Sequence, residues 1–567
     1  MGTKLVIIGG VAGGATAAAR ARRVSESAEI TLVERGPYVS FANCGLPYYI
    51  SGAITKRSKL LLQTPEGFDA RYRVKVLVNT AAVEIDRKRH MVRLSGSPGQ
   101  AEGGSGPSAI EYDKLILAQG GSPASPPIPG ADSPNVFTLW TIPDVDRISA
   151  YLEKEGPRTA LVAGGGFIGL EMAEAFRERG LDVTVVELLP RLMSVMDGEF
   201  GRMIEAKLAE KGVRVVTGAG LESVDYPSRE ARLSDGSRVP ADIVLFSIGV
   251  RPELALAKAS GLGIGSSGGL LVDDELRTSD PDIYAAGDMI EVTQAVSGKK
   301  VRVPLAGPAN RQGRVAASNA LGMRIKYRGA YGTSVVKLFD AAAASTGLTE
   351  KAAREAGMDV GSAMVFKDHH ASYYPGSKEL ALKLVYDRKS SRILGAQAFG
   401  AEGVEKRIDV VATALRGKLT LQDLADLDLA YAPPFSSAND PVNVAAFVGL
   451  NDVSGLAPTE TAAALKAAIA AARAAGGSVA VLDVRNRGEY EAAHVFGSLN
   501  VPVDELRFSL DSVPRGCRIH VHCRSGLRSY LAQRILKQSG FDDVVNVTGG
   551  FMAIQAEGGF DIKSGGE

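Results

Sequence analysis

Two segments of the chain follow the same order of an apolar run, a glycine-rich turn and a helix-forming stretch. The first apolar run, residues 5–8, leads into residues 9–14 (Gly-Gly-Val-Ala-Gly-Gly). The second, residues 160–163, leads into residues 164–169 (Gly-Gly-Gly-Phe-Ile-Gly). This order predicts a buried strand, a tight turn and a helix whose N-terminus faces a phosphate. The pattern therefore predicts two dinucleotide-binding units.

An acid closes the strand that follows each of these units. Glu34 lies 20 residues after Gly14, and Glu187 lies 18 residues after Gly169. An acid at this position hydrogen-bonds a ribose hydroxyl and repels a 2′-phosphate, so Glu187 favours NADH over NADPH. The first unit departs from the G-x-G-x-x-G pattern, because Val11 stands at its second glycine position.

Composition limits the expected partners and location. At 567 residues the chain is too long for one core and predicts three or four domains. Lys and Arg number 65 against 64 Asp and Glu, so neither nucleic acid nor a membrane is an expected partner. With three cysteines and no signal-peptide pattern, a reducing cytoplasm is the expected location. The histidines show no metal-ligand spacing, and the Gly/Ser/Pro-rich residues 95–108 are expected to form an exposed loop.

A third segment ties the two nucleotide units together. Residues 278–288 (Thr-Ser-Asp-Pro-Asp-Ile-Tyr-Ala-Ala-Gly-Asp) read as an apolar strand that ends in Gly-Asp. With residues 115–123 and 247–253, this segment resembles the pyridine nucleotide-disulfide oxidoreductases, and the resemblance extends over residues 1–446. It implies that Asp288 meets the ribityl hydroxyls of FAD, and that an FAD domain is interrupted by an NAD domain and followed by a dimerisation domain.

Cys44 is the candidate redox cysteine. The residue five positions on is Tyr49, so no C-x4-C partner exists, and the thiol must pair with an outside sulfur or become a sulfenic acid. Residues 45–47 (Gly-Leu-Pro) predict a helix start, whose amides would lower the thiol pKa. Residues 40–48 (Ser-Phe-Ala-Asn-Cys-Gly-Leu-Pro-Tyr) resemble the coenzyme A-disulfide reductases and their persulfide-reducing relatives. NADH oxidases and peroxidases share the single cysteine, but the peroxidase glycine-loop histidine has no counterpart before His90.

The same resemblance implies roles for two tyrosines and two arginines. Tyr373 lies in His-Ala-Ser-Tyr-Tyr-Pro-Gly, and Tyr431 opens Tyr-Ala-Pro-Pro-Phe-Ser-Ser. In the family these tyrosines reach the flavin cysteine from the partner subunit of a homodimer, where they donate hydrogen bonds. Arg20 and Arg23 are expected to hold phosphates of coenzyme A. Asn439 departs from the family, because relatives often carry Lys there as a phosphate contact.

The chain changes in character after residue 446. The alanine-rich residues 459–475 predict a helix, and the apolar runs at 479–484 and 518–522 predict strands. The second run leads into Cys523 and the loop Cys-Arg-Ser-Gly-Leu-Arg-Ser.

The Cys523 loop has the composition of an anion-binding turn. Successive backbone amides would form a nest for a thiolate or persulfide, Gly526 permits unusual dihedral angles, and Arg524 and Arg528 add positive charge. Phosphatase loops usually have five residues between Cys and Arg, whereas four lie between Cys523 and Arg528, so sulfur is favoured over phosphate. The pattern over residues 455–567 resembles a single rhodanese domain, catalytic or purely protein-binding.

The motifs together imply an α/β protein with two Rossmann-like dinucleotide-binding domains, an α+β dimerisation domain and a C-terminal α/β rhodanese domain. The predicted boundaries are 1–149 and 276–325 for the FAD domain, 150–275 for the NAD domain, 326–446 for the dimerisation domain and 447–567 for the linker and rhodanese domain.

The resemblances imply three sets of contact residues. Those for FAD are Gly9, Val11, Ala12, Gly14, Glu34, Arg35, Asn43, Asp288 and Ala306. Those for NADH are Gly164, Gly166, Ile168, Gly169, Glu187 and Gly249. Those for coenzyme A and the sulfur substrates are Arg20, Arg23, Ser40, Asn43, Arg71, Arg524 and Arg528.

The predicted activity is NADH-dependent, FAD-dependent reduction of a persulfide or polysulfide, such as coenzyme A persulfide, through Cys44, with release of sulfide. Cys523 would supply the sulfane sulfur. Three alternatives stay open: reduction of coenzyme A disulfide as the main activity, an NADH oxidase, and a sulfur-relay protein that hands sulfur to a protein partner. The sequence does not separate disulfide from persulfide, because Cys44 meets a sulfur–sulfur bond in both.

Overall fold

The computed structural model describes residues 2–95 and 108–564, so most of the loop expected at 95–108 lies outside the described residues. The chain forms two compact units. The first comprises Met1–Pro190 and Gly212–Gly332, and the second comprises Arg191–Lys211 and Thr333–Glu567. The domain boundaries given above remain predictions.

The first unit contains β1 (Lys4–Ile8), β2 (Glu29–Val33), β3 (Val74–Leu77), β4 (Ala81–Asp86), β5 (Met91–Ser95), β6 (Ala109–Glu111), β7 (Lys114–Leu117), β8 (Gly121–Pro123), β9 (Val136–Phe137), β10 (Thr159–Ala163), β11 (Asp182–Glu187), β12 (Arg214–Thr217), β13 (Leu221–Asp225), β14 (Glu230–Leu233), β15 (Arg238–Pro240), β16 (Ile243–Phe246), β17 (Val250–Pro252), β18 (Leu270–Leu271), β19 (Ile283–Ala285), β20 (Ile290–Thr293) and β21 (Lys300–Val301). The second unit contains β22 (Ser334–Leu338), β23 (Ala341–Gly347), β24 (Val360–Asp368), β25 (Glu379–Asp387), β26 (Ile393–Gly400), β27 (Thr459–Glu460), β28 (Ala480–Asp483), β29 (Ala493–Val495), β30 (Leu499–Asn500), β31 (Ile519–His522), β32 (Val544–Val547) and β33 (Ile562–Ser564).

The helices are α1 (Ala12–Val24), α2 (Leu46–Ser51), α3 (Pro65–Tyr72), α4 (Ile142–Glu155), α5 (Phe167–Glu178), α6 (Gly198–Glu210), α7 (Ala255–Ala259), α8 (Ala306–Ala320), α9 (Glu350–Glu355), α10 (Val404–Gly417), α11 (Leu421–Ala425), α12 (Pro441–Val453), α13 (Ala462–Ala474), α14 (Arg487–Ala492), α15 (Leu527–Gln538) and α16 (Gly550–Glu557). Among the described residues, none of these helices combines the length and apolar character needed to cross a bilayer.

Two five-stranded parallel sheets organise the first unit. Their strand orders are β19-β7-β1-β2-β3 and β12-β11-β10-β16-β9. The central strands are apolar and buried, as their sequences predict, and Leu5, Ile7 and Leu161 are fully enclosed. Each glycine turn leaves the carboxyl end of its central strand and leads into α1 or α5. The predicted pair of Rossmann-like units is therefore confirmed, with the ligand-binding edge at the strand ends.

An antiparallel sheet of order β22-β23-β26-β25-β24 forms the dimerisation domain of the second unit. Helices α10 and α12 pack against it, and so does α6, which comes from the segment Arg191–Lys211. Lys383 on β25 is buried, with its Nζ 3.0 Å from Asp197, 2.6 Å from Glu199 and 2.9 Å from Glu350. This cluster fixes the α6 segment to the sheet.

The C-terminal part of the second unit is built on a parallel sheet of order β27-β32-β31-β28-β30. Its core is apolar and includes Leu482, Val521 and Leu536. The alanine-rich segment forms α13, as predicted. Strand β31 ends at His522, so Cys523 stands at the carboxyl end of a central parallel strand, where parallel α/β sheets carry their sites.

Candidate active sites

The two glycine turns share one geometry that excludes larger residues. Gly9 has φ +100°, and a Cβ there would lie 2.3 Å from the Ala118 carbonyl oxygen. A Cβ on Gly14 would lie 1.8 Å from the Gly9 carbonyl oxygen. In the second turn Gly164 has φ +111°, and a Cβ on Gly169 would lie 1.9 Å from the Gly164 carbonyl oxygen. Each strand therefore meets its helix closely enough for helix amides to face a phosphate.

Val11 fits the position where the pattern asks for glycine. Its φ is −98° and its ψ is −134°, and the corresponding Gly166 has φ −87° and ψ −171°. Both φ values are negative, so the position does not need glycine's left-handed region. Ala12 follows as the first residue of α1. The φ angle at Val11 therefore does not call for glycine.

The two acids hold their glycine turns by the same hydrogen bonds. Glu34 accepts from the amides of Gly10, at 2.8 Å, and Gly36, at 2.7 Å. Glu187 accepts from the Gly165 amide at 2.8 Å and from a second amide two residues beyond itself, also at 2.8 Å. Each carboxylate is thereby fixed beside the glycine turn that follows the adjacent central strand of its own sheet. Ribose binding by these acids stays a prediction.

The remaining cofactor candidates of the first unit lie around these turns. Ile168 is the second residue of α5, and Gly249 has φ +112° and accepts from the Ala124 amide at 2.9 Å. Arg35 lies 3.6 Å from Glu253 in a partly exposed ion pair.

The surroundings of Asp288 fit the polar part of a dinucleotide. Burial raises the pKa of Asp288 to about 6. The Oε1 of Gln119 is buried without a hydrogen-bond partner among the described residues, and Gln119 adjoins the carbonyl that crowds the first glycine turn. Helix α8 begins at Ala306 and packs on α1, and a Cβ on Gly313 would lie 2.2 Å from the Gly13 carbonyl oxygen. FAD hydroxyls and phosphates would satisfy such groups.

Cys44 lies in a 3-10 turn, Asn43–Gly45, which is tied to the first glycine turn. The Ser40 amide donates to the Gly10 carbonyl at 2.8 Å, and Ser40 has φ +47°. The Asn43 side chain donates to the Trp140 carbonyl at 2.5 Å. These bonds place the cysteine segment beside the predicted FAD turn.

The helix start expected at residues 45–47 is present, because α2 begins at Leu46, directly after the 3-10 turn that holds Cys44. The expectation that it lowers the pKa of Cys44 is wrong. Burial raises the pKa of the Cys44 thiol, and the carboxyl groups of Glu171 and Asp288 raise it further. Cys44 nevertheless keeps solvent-exposed surface. Negative charge and desolvation outweigh the backbone amides.

Sequence reasoning missed a buried pair beside Cys44. The Tyr48 hydroxyl donates to Glu171 Oε1 at 3.1 Å. Burial raises the pKa of Glu171 to about 7, although the Tyr48 hydrogen bond opposes this rise. Glu171 follows Gly169 by two residues, and this spacing was the one available signal. A carboxyl group that titrates near neutral pH is suited to proton transfer.

The arginines expected to hold coenzyme A lie on α1 and α3, which pack together. The Arg20 Nε donates to the Ser318 hydroxyl at 2.9 Å. Arg23 is exposed and donates to the Ala19 carbonyl at 2.9 Å, and Arg71 is exposed on α3. The helix pair thus keeps Arg23 and Arg71 accessible, whereas Arg20 is partly engaged. Phosphate binding by these residues stays a prediction.

Tyr373 and Tyr431 of the second unit form a pair. Their hydroxyl oxygens are 3.1 Å apart, although the residues are 58 positions apart in the sequence. Tyr373 is 75% exposed and Tyr431 is 48% exposed. The hydrogen bond to Tyr431 raises the pKa of Tyr373. Tyr373 therefore stays a hydrogen-bond donor at neutral pH, on a surface open to another molecule.

The Cys523 thiol lies at the bottom of its loop and is 1% exposed. Its Sγ accepts from the Gly526 amide at 3.1 Å and from the Ser529 hydroxyl at 3.4 Å. Gly526 has φ +114° and caps the N-terminus of α15. The Cys523 carbonyl accepts from the Phe551 amide at 2.7 Å, which secures the loop to α16. The loop therefore presents donors to sulfur, as its composition predicts.

Both arginines of the loop are engaged by carboxylates. Arg528 donates to Glu489 at 2.6 and 2.8 Å, and Arg524 donates to Glu379 at 2.8 and 3.3 Å. Glu379 belongs to the dimerisation sheet, and the sequence of the loop does not predict this contact. Within residues 2–95 and 108–564, no group of three or more His, Cys, Asp or Glu side chains is placed to hold a metal ion.

Three parts of the chain match known families. Residues 3–313 match the pyridine nucleotide-disulphide oxidoreductases, residues 333–441 match the dimerisation domain of that family, and residues 461–557 match rhodanese-like domains. The fold and both cysteine sites thus define an oxidoreductase with a fused rhodanese-like domain. The chain belongs to the pyridine nucleotide-disulphide oxidoreductase family.

Similar proteins match either the first 78% or so of the chain or nearly all of it. A protein from Pyrococcus abyssi named NAD(P)H sulfur oxidoreductase (CoA-dependent) is 37% identical over 445 residues, which cover 78% of this chain and 97% of the relative. The solved structure of reduced Bacillus anthracis CoADR-RHD is 41% identical, with a TM-score of 0.93 over 98% of both chains. An NAD-dependent persulfide reductase from A. fulgidus is 38% identical, with a TM-score of 0.87 over 97% of this chain and 99% of its own.

Proposed function

We propose that the chain is an FAD-dependent NADH oxidoreductase that reduces low-molecular-weight persulfides, such as coenzyme A persulfide, through Cys44 and releases sulfide. The observation that carries the proposal is the solitary redox cysteine. Tyr49 stands five residues after Cys44, where a C-x4-C pair would have its second cysteine. In this proposal the substrate brings the second sulfur.

The chemistry at Cys44 follows from thiol–disulfide exchange. The Cys44 thiolate attacks the inner sulfur of a persulfide R–S–SH, which forms the mixed disulfide Cys44–S–S–R and expels hydrosulfide. Two electrons then cleave this disulfide, so that RSH leaves and the Cys44 thiolate is restored. Bound FAD and NADH would supply those electrons. Glu171, with a pKa of about 7, would exchange the proton that accompanies each change of thiol charge.

Tyr373 and Tyr431 would complete the site in a homodimer. Each subunit would present its tyrosine pair to Cys44 of the other and donate hydrogen bonds to the leaving sulfur. Their exposure and mutual hydrogen bond support this role. Arg20, Arg23 and Arg71 would hold the phosphates of coenzyme A.

Cys523 would carry sulfane sulfur as a persulfide and transfer it to a low-molecular-weight thiol such as coenzyme A. Cys44 would then reduce the persulfide that this transfer forms. The amide of Gly526 and the hydroxyl of Ser529 would stabilise this anion. Joining both sites in one chain raises the concentration of each near the other. The names of the relatives from Pyrococcus abyssi and A. fulgidus support a sulfur or persulfide substrate.

The test is anaerobic NADH oxidation by the holoenzyme with coenzyme A persulfide, polysulfide and coenzyme A disulfide, with sulfide measured. We expect one sulfide per NADH with the persulfide, and loss of turnover in Cys44→Ser. Cys523→Ser should keep turnover with preformed coenzyme A persulfide, because that substrate is already loaded. Turnover with the disulfide alone would make coenzyme A-disulfide reduction the main activity, and NADH consumption only with oxygen would indicate an oxidase.

A sulfur-relay function makes a different demand on Cys523. In that case radioactive sulfane sulfur would label a protein partner, and Cys523→Ala would abolish this labelling without changing the reduction of coenzyme A persulfide. The buried thiol favours a narrow acceptor over a protein surface, because Cys523 is 1% exposed.

A further inference from the structure

The rhodanese-like domain rests on the free edge of the dimerisation sheet. Strand β24 is the last strand of that sheet, so its outward amides and carbonyls have no strand partner. The Met364 amide donates to the Thr548 hydroxyl at 2.8 Å, and this hydroxyl donates to the Met364 carbonyl at 3.0 Å. Both bonds are buried. The Thr548 side chain thus pairs both backbone groups of Met364 on this edge and anchors the segment before α16.

The anchored segment is also the floor of the Cys523 loop. A Cβ on Gly549 would lie 2.8 Å from Met364 Cγ, and a Cβ on Gly550 would lie 2.4 Å from the Cys523 carbonyl oxygen. The two glycines therefore let side chains of the sheet and the backbone of the Cys523 loop approach the segment closely. Residues of the dimerisation sheet are close enough to shape the rhodanese site.

Glu379 is the residue of that sheet that changes the charge of the site. It begins β25 beside the edge strand and binds Arg524 through both carboxylate oxygens, at 2.8 and 3.3 Å. Glu489 binds Arg528 in the same manner, at 2.6 and 2.8 Å. Arg528 also interacts with the Cys523 thiol. The Arg524 guanidinium, in contrast, is engaged by Glu379, so its charge is offset by a residue of the dimerisation sheet.

We propose that Glu379 sets the sulfur-donor specificity of Cys523, so that the site accepts persulfides whose sulfur is borne on an uncharged arm, as in coenzyme A, and disfavours thiosulfate. This inference deepens the proposed function and rests on it for the role of Cys523. Thiosulfate is a dianion and leaves as sulfite, also a dianion, so its reaction needs a free cation beside the thiol. A persulfide leaves as a thiolate with one charge, for which the amide of Gly526 and the N-terminus of α15 suffice.

The transfer is balanced for both donors. With a persulfide, Cys523–S⁻ attacks the terminal sulfur of R–S–SH, the sulfur–sulfur bond breaks, and Cys523–S–SH and RS⁻ result. With thiosulfate, the same attack gives Cys523–S–S⁻ and sulfite. Cyanide then removes the outer sulfur as thiocyanate and restores the Cys523 thiolate. No net oxidation or reduction occurs in either sequence.

The experiment measures thiocyanate formation by the full-length holoenzyme with thiosulfate and with the persulfide of N-acetylcysteamine, a thiol with an uncharged amide arm. All variants carry Cys44→Ser, so a failure of the proposed NADH-linked reduction would leave this assay unaffected. We expect Glu379→Gln to raise kcat/KM for thiosulfate about fivefold at low salt, the effect of freeing one unit charge close to the donor. The persulfide rate should change less than twofold, and added salt should diminish the gain.

Glu402→Gln is the matched control. Glu402 is exposed and pairs with Lys378, the residue before Glu379, so the substitution removes the same charge from the same region without freeing Arg524. This control substitution should leave the rate of thiocyanate formation unchanged with both sulfur donors. The proposal is overturned if the Cys44→Ser protein that keeps Glu379 already turns over thiosulfate faster than the persulfide. It is also overturned if Glu379→Gln leaves the thiosulfate rate unchanged. An equal loss with both donors would also overturn it, because Glu379 would then only hold the loop in place.

Discussion

At the scale of single residues, the reactivity of Cys44 depends on carboxyl groups that are distant in the sequence. Burial raises the pKa of the thiol, and Glu171 and Asp288 add to the rise. Glu171 has a pKa of about 7, so its negative charge develops near neutral pH. These carboxyl groups therefore disfavour the Cys44 thiolate.

Glu171→Gln should make the Cys44 thiol more reactive above neutral pH. Since Glu171 is charged above pH 7 and repels the thiolate, its removal should lower the Cys44 pKa, and alkylation by iodoacetamide at pH 8 should become several-fold faster. The measurement is alkylation rate against pH in a background of Cys517→Ser and Cys523→Ser. Below pH 6 the variant should match the parent. Glu178→Gln, an exposed change on the same helix, is the control, and an equal effect of both substitutions would contradict the assignment.

The tyrosine pair gives a second prediction at this scale. Tyr373→Phe and Tyr431→Phe each remove one hydroxyl from a 3.1 Å hydrogen bond, and each should slow reduction of coenzyme A persulfide by a factor of about 100. The fall should appear in kcat rather than KM, because the hydroxyls would act on the leaving sulfur. Tyr374→Phe is the control, since Tyr374 is the exposed neighbour. Unchanged kcat in both variants would leave the pair as ordinary surface tyrosines.

At the scale of elements, the buried Lys383 is a charge inside a mostly apolar strand. Residues 379–387 form β25 and are apolar except for Glu379, Lys383 and Asp387. The α6 segment covers Lys383 and brings Asp197 and Glu199 to its ammonium group. Although burial favours the neutral amine, these carboxylates and Glu350 raise the pKa of Lys383 above its ordinary value. A buried charge is tolerated because three opposite charges surround it.

Lys383→Met should destabilise the second unit by about 3–5 kcal/mol at pH 7.5, because it leaves buried carboxylates without a cation. Urea unfolding measures the change, and Lys351→Met, at a lysine 82% exposed, should cost less than about 0.5 kcal/mol. A loss as small as that of the control would mean that water, rather than Lys383, satisfies the carboxylates.

The same cluster predicts the pH dependence of stability. Although burial opposes it, Lys383 and Arg354 lower the pKa of Glu350 to about 2. Because this folded-state pKa lies below the unfolded value, the stabilisation is present above about pH 4.5 and is lost as pH falls toward 2. In Lys383→Met the carboxylates around the lost ammonium group would instead favour their protonated forms. The loss of unfolding free energy relative to the parent should therefore be smaller at pH 5 than at pH 7.5. Unfolding in urea at both pH values compares the two proteins.

The parts of the fold and sites that the sequence predicts are local. The glycine turns, the acids that end their strands and both cysteine loops are each specified within about 35 residues. The pairs it does not predict join distant segments: Tyr48 with Glu171, 123 residues apart, Glu379 with Arg524, 145 apart, and Glu199 with Lys383, 184 apart. Such contacts depend on how elements pack, which periodicity and motif spacing do not encode.

At the scale of the whole molecule, the dimerisation and rhodanese-like domains behave as parts of one compact unit. Thr548 fills the edge of β24, Arg524 binds Glu379, and Tyr386 of β25 donates to Asp452 at 2.8 Å. Tyr373 lies in the connection between β24 and β25, and β25 begins at Glu379, which binds Arg524 of the Cys523 loop. The same pair of strands therefore contacts both candidate sites of the second unit.

Thr548→Val tests whether this attachment stabilises the unit. Valine keeps the shape but removes the hydroxyl, so the Met364 amide and carbonyl lose bonds of 2.8 and 3.0 Å in a buried place. Leaving such groups unpaired costs about 1–3 kcal/mol. We expect the Met364 amide to exchange with deuterium about tenfold faster or more, and urea unfolding of the second unit to begin earlier. Thr413→Val is the control, because Thr413 bonds a helix carbonyl in an exposed position. If Thr548→Val exchanges at the parental rate, the strand edge does not depend on this side chain, and other contacts must hold the rhodanese-like domain against the sheet.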